Sequence, residues 1–223
     1  MIDPCTAALL QIDMQHGFID ADSPLCVAGA AATVPACAAA LRRARELGMP
    51  VFHVVRDYAP DGSDVEAVRY GAWAAGGKPV SRGCADARSV EEPAELAPAP
   101  GDRVLTKPRF SAFFGTGLDL ALRRLGVRTV VLTGTTTPNC IRSTGFDALS
   151  LGYNVVVVED CTSSRTPEVQ AANIADMAHI GTQVISCAQF CDRGLADVRD
   201  VEAEVANAVA QGAASAVGTV SAQ

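Results

Sequence analysis

The sequence predicts an α/β protein built on a parallel sheet, and three observations carry that reading. Short β-branched runs alternate along the chain with Ala/Leu-rich stretches of helical period. Glycines close several helical stretches just before the next strand. At 223 residues the chain is long enough for one well-buried core.

The elements follow in order. Residues 8–12 read as a first strand, and Val34, Ala38 and Leu41 mark a helix face that ends at Gly48. Residues 50–55 read as the second strand. From 57 to 101 the chain is rich in Gly, Pro, Asp and Ala and reads as an irregular insertion, with one short helix at about 65–73. Insertions of that length in a compact domain often serve as lids. Arg103–Thr106 reads as a strand, and Leu118, Ala121, Leu122 and Leu125 form one helical stripe closed by Gly126. Strands are then expected at 129–133, 154–158 and 182–185, with helices at 138–151 and 167–180. A further helix is expected from Leu195 to about Ala210, followed by a mobile Ala/Gly/Ser-rich tail at 212–223. Residues 1–211 thus read as a single domain.

Composition removes several function classes. A net charge of −7 with scattered basic residues opposes binding to nucleic acid or an anionic membrane surface. No apolar run of membrane-spanning length is present, and the start lacks a basic segment followed by an apolar one, so a cytoplasmic protein is expected. The eight cysteines include no C-x-x-C pair, and Cys187 and Cys191 have no second pair or nearby histidine. Zinc and disulfides are therefore not expected, and most of the thiols read as small buried hydrophobes.

Ligands of open parallel sheets lie beyond the carboxyl ends of the strands. Asp13 follows the first strand there, Lys107 follows Arg103–Thr106, and Cys140 follows the strand at 129–133. In the segment 133–140 (TGTTTPNC), Thr137 suits a helix N-cap and Pro138 the first helical position. Cys140 would then sit in the first turn, where the helix dipole favours a thiolate and free N–H groups could receive an oxyanion. Taken alone, Cys140 could be an inert core thiol, Asp13 a turn residue and Lys107 a surface lysine. Together they suggest a nucleophile, a proton acceptor and a stabilising cation.

Three segments carry a family likeness: 9–18 (LLQIDMQHGF), 107–118 (KPRFSAFFGTGL) and 131–148 (VLTGTTTPNCIRSTGFDA), with 152–160 (GYNVVVVED) in support. The chain resembles the isochorismatase-like cysteine hydrolases. The resemblance implies a three-layer α/β/α fold with a six-stranded, mainly parallel sheet, and a catalytic triad of Asp13, Lys107 and Cys140. It implies a cis peptide between Thr135 and Thr136, an oxyanion hole made by the Thr136 and Cys140 amides, no cofactor, and a homo-oligomer, either dimer or tetramer.

Metal-binding members carry Asp-x-His after the second strand, where this chain has Asp57-Tyr58-Ala59. His16, His53 and His179 do not supply the missing ligand. The chain is thus most similar to the metal-free branch that includes N-carbamoylsarcosine amidohydrolase. In that enzyme an arginine spaced like Arg165 binds the substrate carboxylate. Gln15, Phe18, Phe110, Tyr58, Tyr70 and Trp73 are expected around the pocket.

The expected function is hydrolysis of a C–N bond in a small amide, ureido or N-carbamoyl substrate bearing a carboxylate, through a thioester and with release of ammonia. A metal-free hydrolase of neutral amides and a non-catalytic binding relative are the alternatives. A dinucleotide-binding protein is disfavoured, because Gly115-Thr116-Gly117 lacks the third glycine of that fingerprint.

Overall fold

The computed structural model describes residues 2–84 and 86–220, with 213–220 as backbone alone. Six strands form one sheet in the order β3-β2-β1-β4-β5-β6. They are β1 (Ala7–Ile12), β2 (Val51–Val55), β3 (Arg103–Thr106), β4 (Thr129–Thr135), β5 (Asn154–Ser163) and β6 (Gln183–Ile185), and every pairing is parallel. The helices are α1 (His16–Ile19), α2 (Ala30–Glu46), α3 (Ala67–Ala75), α4 (Leu118–Arg124), α5 (Arg142–Ser150), α6 (Pro167–His179), α7 (Cys187–Arg193) and α8 (Val201–Val220).

The central strands are apolar on both faces because both faces are covered. Leu9, Val51, Val131 and Val156 point to one layer, where Leu41 and Ala44 of α2 and Phe190 of α7 complete the packing. Their neighbours Leu10, Phe52, Leu132 and Val157 point the other way, onto Leu118 and Leu122 of α4, Ala148 of α5 and Met177 of α6. The chain starts at β1, builds outward to β3, then returns to β4 and builds outward to β6. The gap between β1 and β4 is therefore the topological switch point, where a crevice opens at the carboxyl ends.

Gly134 makes that close approach feasible. Its φ is +109°, and a Cβ there would lie 2.1 Å from the Ile12 carbonyl oxygen. Gly134→Ala is expected to cost about 3 kcal/mol or more in a denaturant melt, from strain and overpacking together. A melt within ~0.5 kcal/mol of the parent would show that β1 and β4 can separate there.

Several sequence expectations are corrected. β5 does not stop at 158: it continues to Ser163 and pairs Gly134 with Thr162 and Thr135 with Ser163. The charged pair Glu159-Asp160 reads as a loop start, but the strand bulges there, advancing five residues while β4 advances two. α7 was not expected, although its Ser186/Gln189 capping box is legible in the sequence. The helix expected from Leu195 begins at Val201 and runs to Val220, through most of the expected tail; alanines sustain it. Residues 221–223 lie outside the described residues. α8 leaves Val201, Val205 and Val209 exposed. Among the described residues, no helix is long and apolar enough to cross a membrane.

The C-terminal end of the insertion at 57–101 is tied to the sheet. His53, fully buried on β2, lies between carboxylates, with Nδ1 2.7 Å from Glu92 and Nε2 3.2 Å from Asp102. Phe18, Tyr58, Val65, Trp73 and Val80 form a small core under the insertion itself.

Candidate active site

At the switch point three strand ends deliver their side chains to one place. Lys107 Nζ donates to Asp13 Oδ2 at 2.8 Å and lies 3.6 Å from Cys140 Sγ. A further bond to the Arg109 carbonyl at 3.2 Å holds the ammonium in position. All three side chains are buried, at 2%, 1% and 2% exposure for Asp13, Lys107 and Cys140. Asp13 has φ +53°, a left-handed conformation that aspartate tolerates better than most residues. Its second oxygen, Oδ1, is buried without a hydrogen-bond partner among the described residues. A buried acceptor in that state is costly unless it is used.

Cys140 sits in a π-helical turn, Thr137–Ile141, that leads into α5. The expected Thr137 cap does not form: both Thr136 and Thr137 donate their hydroxyls to the Ser163 carbonyl, at 3.2 and 3.0 Å. Those bonds exist because β5 extends further than the sequence suggested. The peptide between Thr135 and Thr136 is cis. Burial, and then the Asp13 carboxylate, push the Cys140 thiol above its ordinary range, and the opposing pull of Lys107 and Arg56 does not cancel them. The Asp13 side chain therefore faces the thiol whose proton it would accept, with Lys107 fixed on Oδ2.

Arg56 is a group that the strand-end reading missed. It is fully buried, with Nε 4.0 Å from Asp13 Oδ2. Its Nη1 donates to Tyr58 Oη at 2.9 Å and to Glu66, and Tyr58 donates to Glu66 at 2.7 Å. Burial works against both charges. Asp13 and Glu66 nevertheless hold Arg56 firmly cationic, and Arg56 holds Glu66 below the usual carboxylate range. Asp13 thus faces two buried cations, Lys107 and Arg56. Arg56 directly follows β2, so the strand-end rule that selects Asp13 and Lys107 also places it at this edge; only its pairing with Glu66, ten residues on, depends on the folded insertion.

A cavity of about 230 Å³ opens onto Cys140, lined by Asp13, Phe18, Leu25, Val27, Arg69, Thr135, Thr136 and Cys140. Of the expected lining residues, only Phe18 joins Thr135 and Thr136 there. Phe110 stands just behind, its ring 5.0 Å from the Arg69 guanidinium carbon.

The remaining expectations are corrected. Gln15 is fully buried and spans backbone, donating to the Arg56 and Val90 carbonyls and accepting from Arg56 N–H. Tyr58 is consumed by Arg56 and Glu66, and Trp73 is fully buried and donates to the Pro79 carbonyl. Tyr70 packs on Trp73. Large aromatics in the insertion build the insertion's own core. Arg165 is exposed and lines a separate groove with Ala28, Gly29, Ser163 and Ser164, because β5 carries the chain past the crevice before releasing it.

At Asp57-Tyr58-Ala59 the Asp57 carboxylate pairs with Arg82 at 2.6 Å. Among the described residues, no group of three or more His, Cys, Asp or Glu is placed to hold a metal ion.

A doubly wound α/β sheet with a carboxylate, an ammonium and a thiol gathered at its switch point defines the class. Within that class, the isochorismatase domain matches residues 7–189, and the chain belongs to that family. It is 41% identical over 79% of its length to a probable inactive nicotinamidase of Arabidopsis thaliana, 90% of which is covered. It is 35% identical to the maleamate amidohydrolase of Pseudomonas putida, over 76% of this chain and 78% of that one. Among solved structures, an isochorismatase family protein of Desulfovibrio vulgaris superposes with a TM-score of 0.79 at 46% identity, covering 84% of this chain and 97% of the other.

Proposed function

We propose that this chain is a cysteine amidohydrolase that cleaves a non-peptide C–N bond in a small amide, and that the substrate carries a carboxylate. The observation that carries the reading is the buried cluster itself: Lys107 Nζ is 2.8 Å from Asp13 Oδ2 and 3.6 Å from Cys140 Sγ, and Asp13 Oδ1 is left to take the thiol proton. Asp13 takes the thiol proton as Sγ attacks the amide carbon, and Lys107 and Arg56 offset the charge created in a dry site. The Thr136 and Cys140 amides receive the oxyanion. Asp13 returns the proton to the departing nitrogen, releasing ammonia and leaving a thioester. Water, deprotonated by Asp13, then hydrolyses the thioester, and the proton goes back to sulfur.

The maleamate amidohydrolase supports a carboxylate-bearing substrate, because maleamate is the monoamide of a dicarboxylic acid. The inactive plant relative raises the reading of a non-catalytic binding protein. The assembled Asp13, Lys107 and Cys140 count against it, since a mere binding site has no use for a buried, unsatisfied carboxylate oxygen.

The test is ammonia release across short monoamides, carbamoyl amino acids and neutral carboxamides, with and without a chelator. Turnover is expected on at least one carboxylate-bearing amide and is expected to survive chelation, because Asp57-Tyr58-Ala59 lacks the histidine of the metal-binding pattern. No ammonia from any compound would favour the binding reading. Loss of turnover on chelation would show that the metal-free assignment is wrong.

A further inference from the structure

We infer that Arg69, not Arg165, selects the anionic substrate, by pairing with its carboxylate while the amide lies against Cys140. The inference rests on the amidohydrolase reading above and identifies the side chain that sets its substrate class.

Arg69 lies on α3 in the insertion, is half-buried, and lines the same cavity as Cys140. The other cations near that cavity face carboxylates, although Arg56 Nε and Nη2 are buried without a hydrogen-bond partner among the described residues. Lys107 pairs with Asp13, and Arg56 pairs with Glu66 while facing Asp13. Two buried carboxylates thus meet two buried cations, and Arg69 is left as the unmatched positive charge. Its side chain makes no hydrogen bond or ion pair with the described residues, and its guanidinium carbon lies 5.0 Å from the centroid of Phe110. Stacking on a ring orients the guanidinium plane while leaving its N–H edge free, the arrangement that suits a bidentate carboxylate.

The support is rigid. Glu66 at the start of α3 is bound by Arg56 and Tyr58, and the fully buried Trp73 pins its middle. Phe18, Leu25 and Val27 supply an apolar wall, so a short carbon chain between carboxylate and amide would be desolvated. Arg165 is exposed to water on the neighbouring groove, where screening weakens a charge contact.

The experiment compares a four-carbon dicarboxylic monoamide with its neutral diamide. For Arg69→Ala, the ratio of kcat/KM between them should fall at least about tenfold, mainly through KM, and Arg69→Lys should recover part of it. Independently, succinate binding to the Cys140→Ala protein should weaken at least about tenfold when Arg69→Ala is added, relative to succinamide.

An unchanged ratio in Arg69→Ala, or succinate binding no tighter than succinamide, overturns the assignment. So does the same loss in Arg165→Ala instead. Failure of the amidohydrolase reading shows separately, as ammonia release that persists in Cys140→Ala, and it leaves the succinate result standing.

Discussion

Cys140→Ala is expected to lose hydrolysis by about four orders of magnitude or more, down to the uncatalysed background. The magnitude follows from the role, because without sulfur no thioester can form and the remaining groups can only bind and polarise the amide. The fold should survive. Cys140 is 2% exposed, so removing its sulfur leaves a small void that costs about 1 kcal/mol or less, and the melt should remain cooperative. Ammonia release and a denaturant melt on the same preparation check both points. Full activity in a folded Cys140→Ala protein would sink the mechanism, and Asp13 and Lys107 would then have to serve some other chemistry.

Asp13→Asn should move two observables in opposite directions. Turnover should drop by about 10²–10⁴-fold, the usual contribution of a positioned general base. The thiol, by contrast, should ionise more readily. Burial and then the Asp13 carboxylate hold the Cys140 thiol up, while Lys107 and Arg56 pull it down. Removing the carboxylate leaves burial alone against those cations, so the ionisation falls to lower pH. In the parent protein, alkylation of Cys140 by iodoacetamide should therefore rise with pH through a midpoint above the ordinary thiol range. In Asp13→Asn that midpoint should lie lower, with faster labelling at neutral pH although hydrolysis has collapsed. Asparagine also tolerates the left-handed backbone of position 13, which keeps the substitution local. Identical alkylation profiles for the two proteins would mean that Asp13 does not act on the thiol.

The opposite signs separate this mechanism from a preformed ion pair. In a preformed thiolate–cation pair, removing a carboxylate would change labelling little at neutral pH. On the proposed mechanism the thiol stays protonated until substrate arrives, which would also protect it from oxidation.

The elements legible in the sequence share one property: their signals are local. β1 is a short apolar run, β2, β3 and β6 are short runs rich in β-branched residues, and α2, α4 and α6 have apolar stripes of helical period, so spacing alone places them. The site's three reactive groups were legible for a related reason. In a parallel sheet every strand points its carboxyl end at the same edge, and Asp13, Lys107 and Cys140 each follow a strand.

The full extent of β5 was not legible, because Glu159-Asp160 interrupts the apolar run and the bulge that absorbs them depends on pairing with β4. That extension decided two further features: the Ser163 carbonyl that anchors Thr136 and Thr137, and the exit of Arg165 away from the cavity. The insertion was least legible. The pairing of Arg56 with Glu66, the burial of Trp73 and the placement of Arg69 over Phe110 join residues without periodic spacing, in a segment whose path is set by its own small core. The sequence by itself therefore determined the sheet, its catalytic edge and the three groups on it, since backbone periodicity and the shared strand direction dictate them. Only the tertiary structure decided the partners of Arg56, the surroundings that push the thiol up and the placement of Arg69, because each depends on which charges meet in a space closed to water.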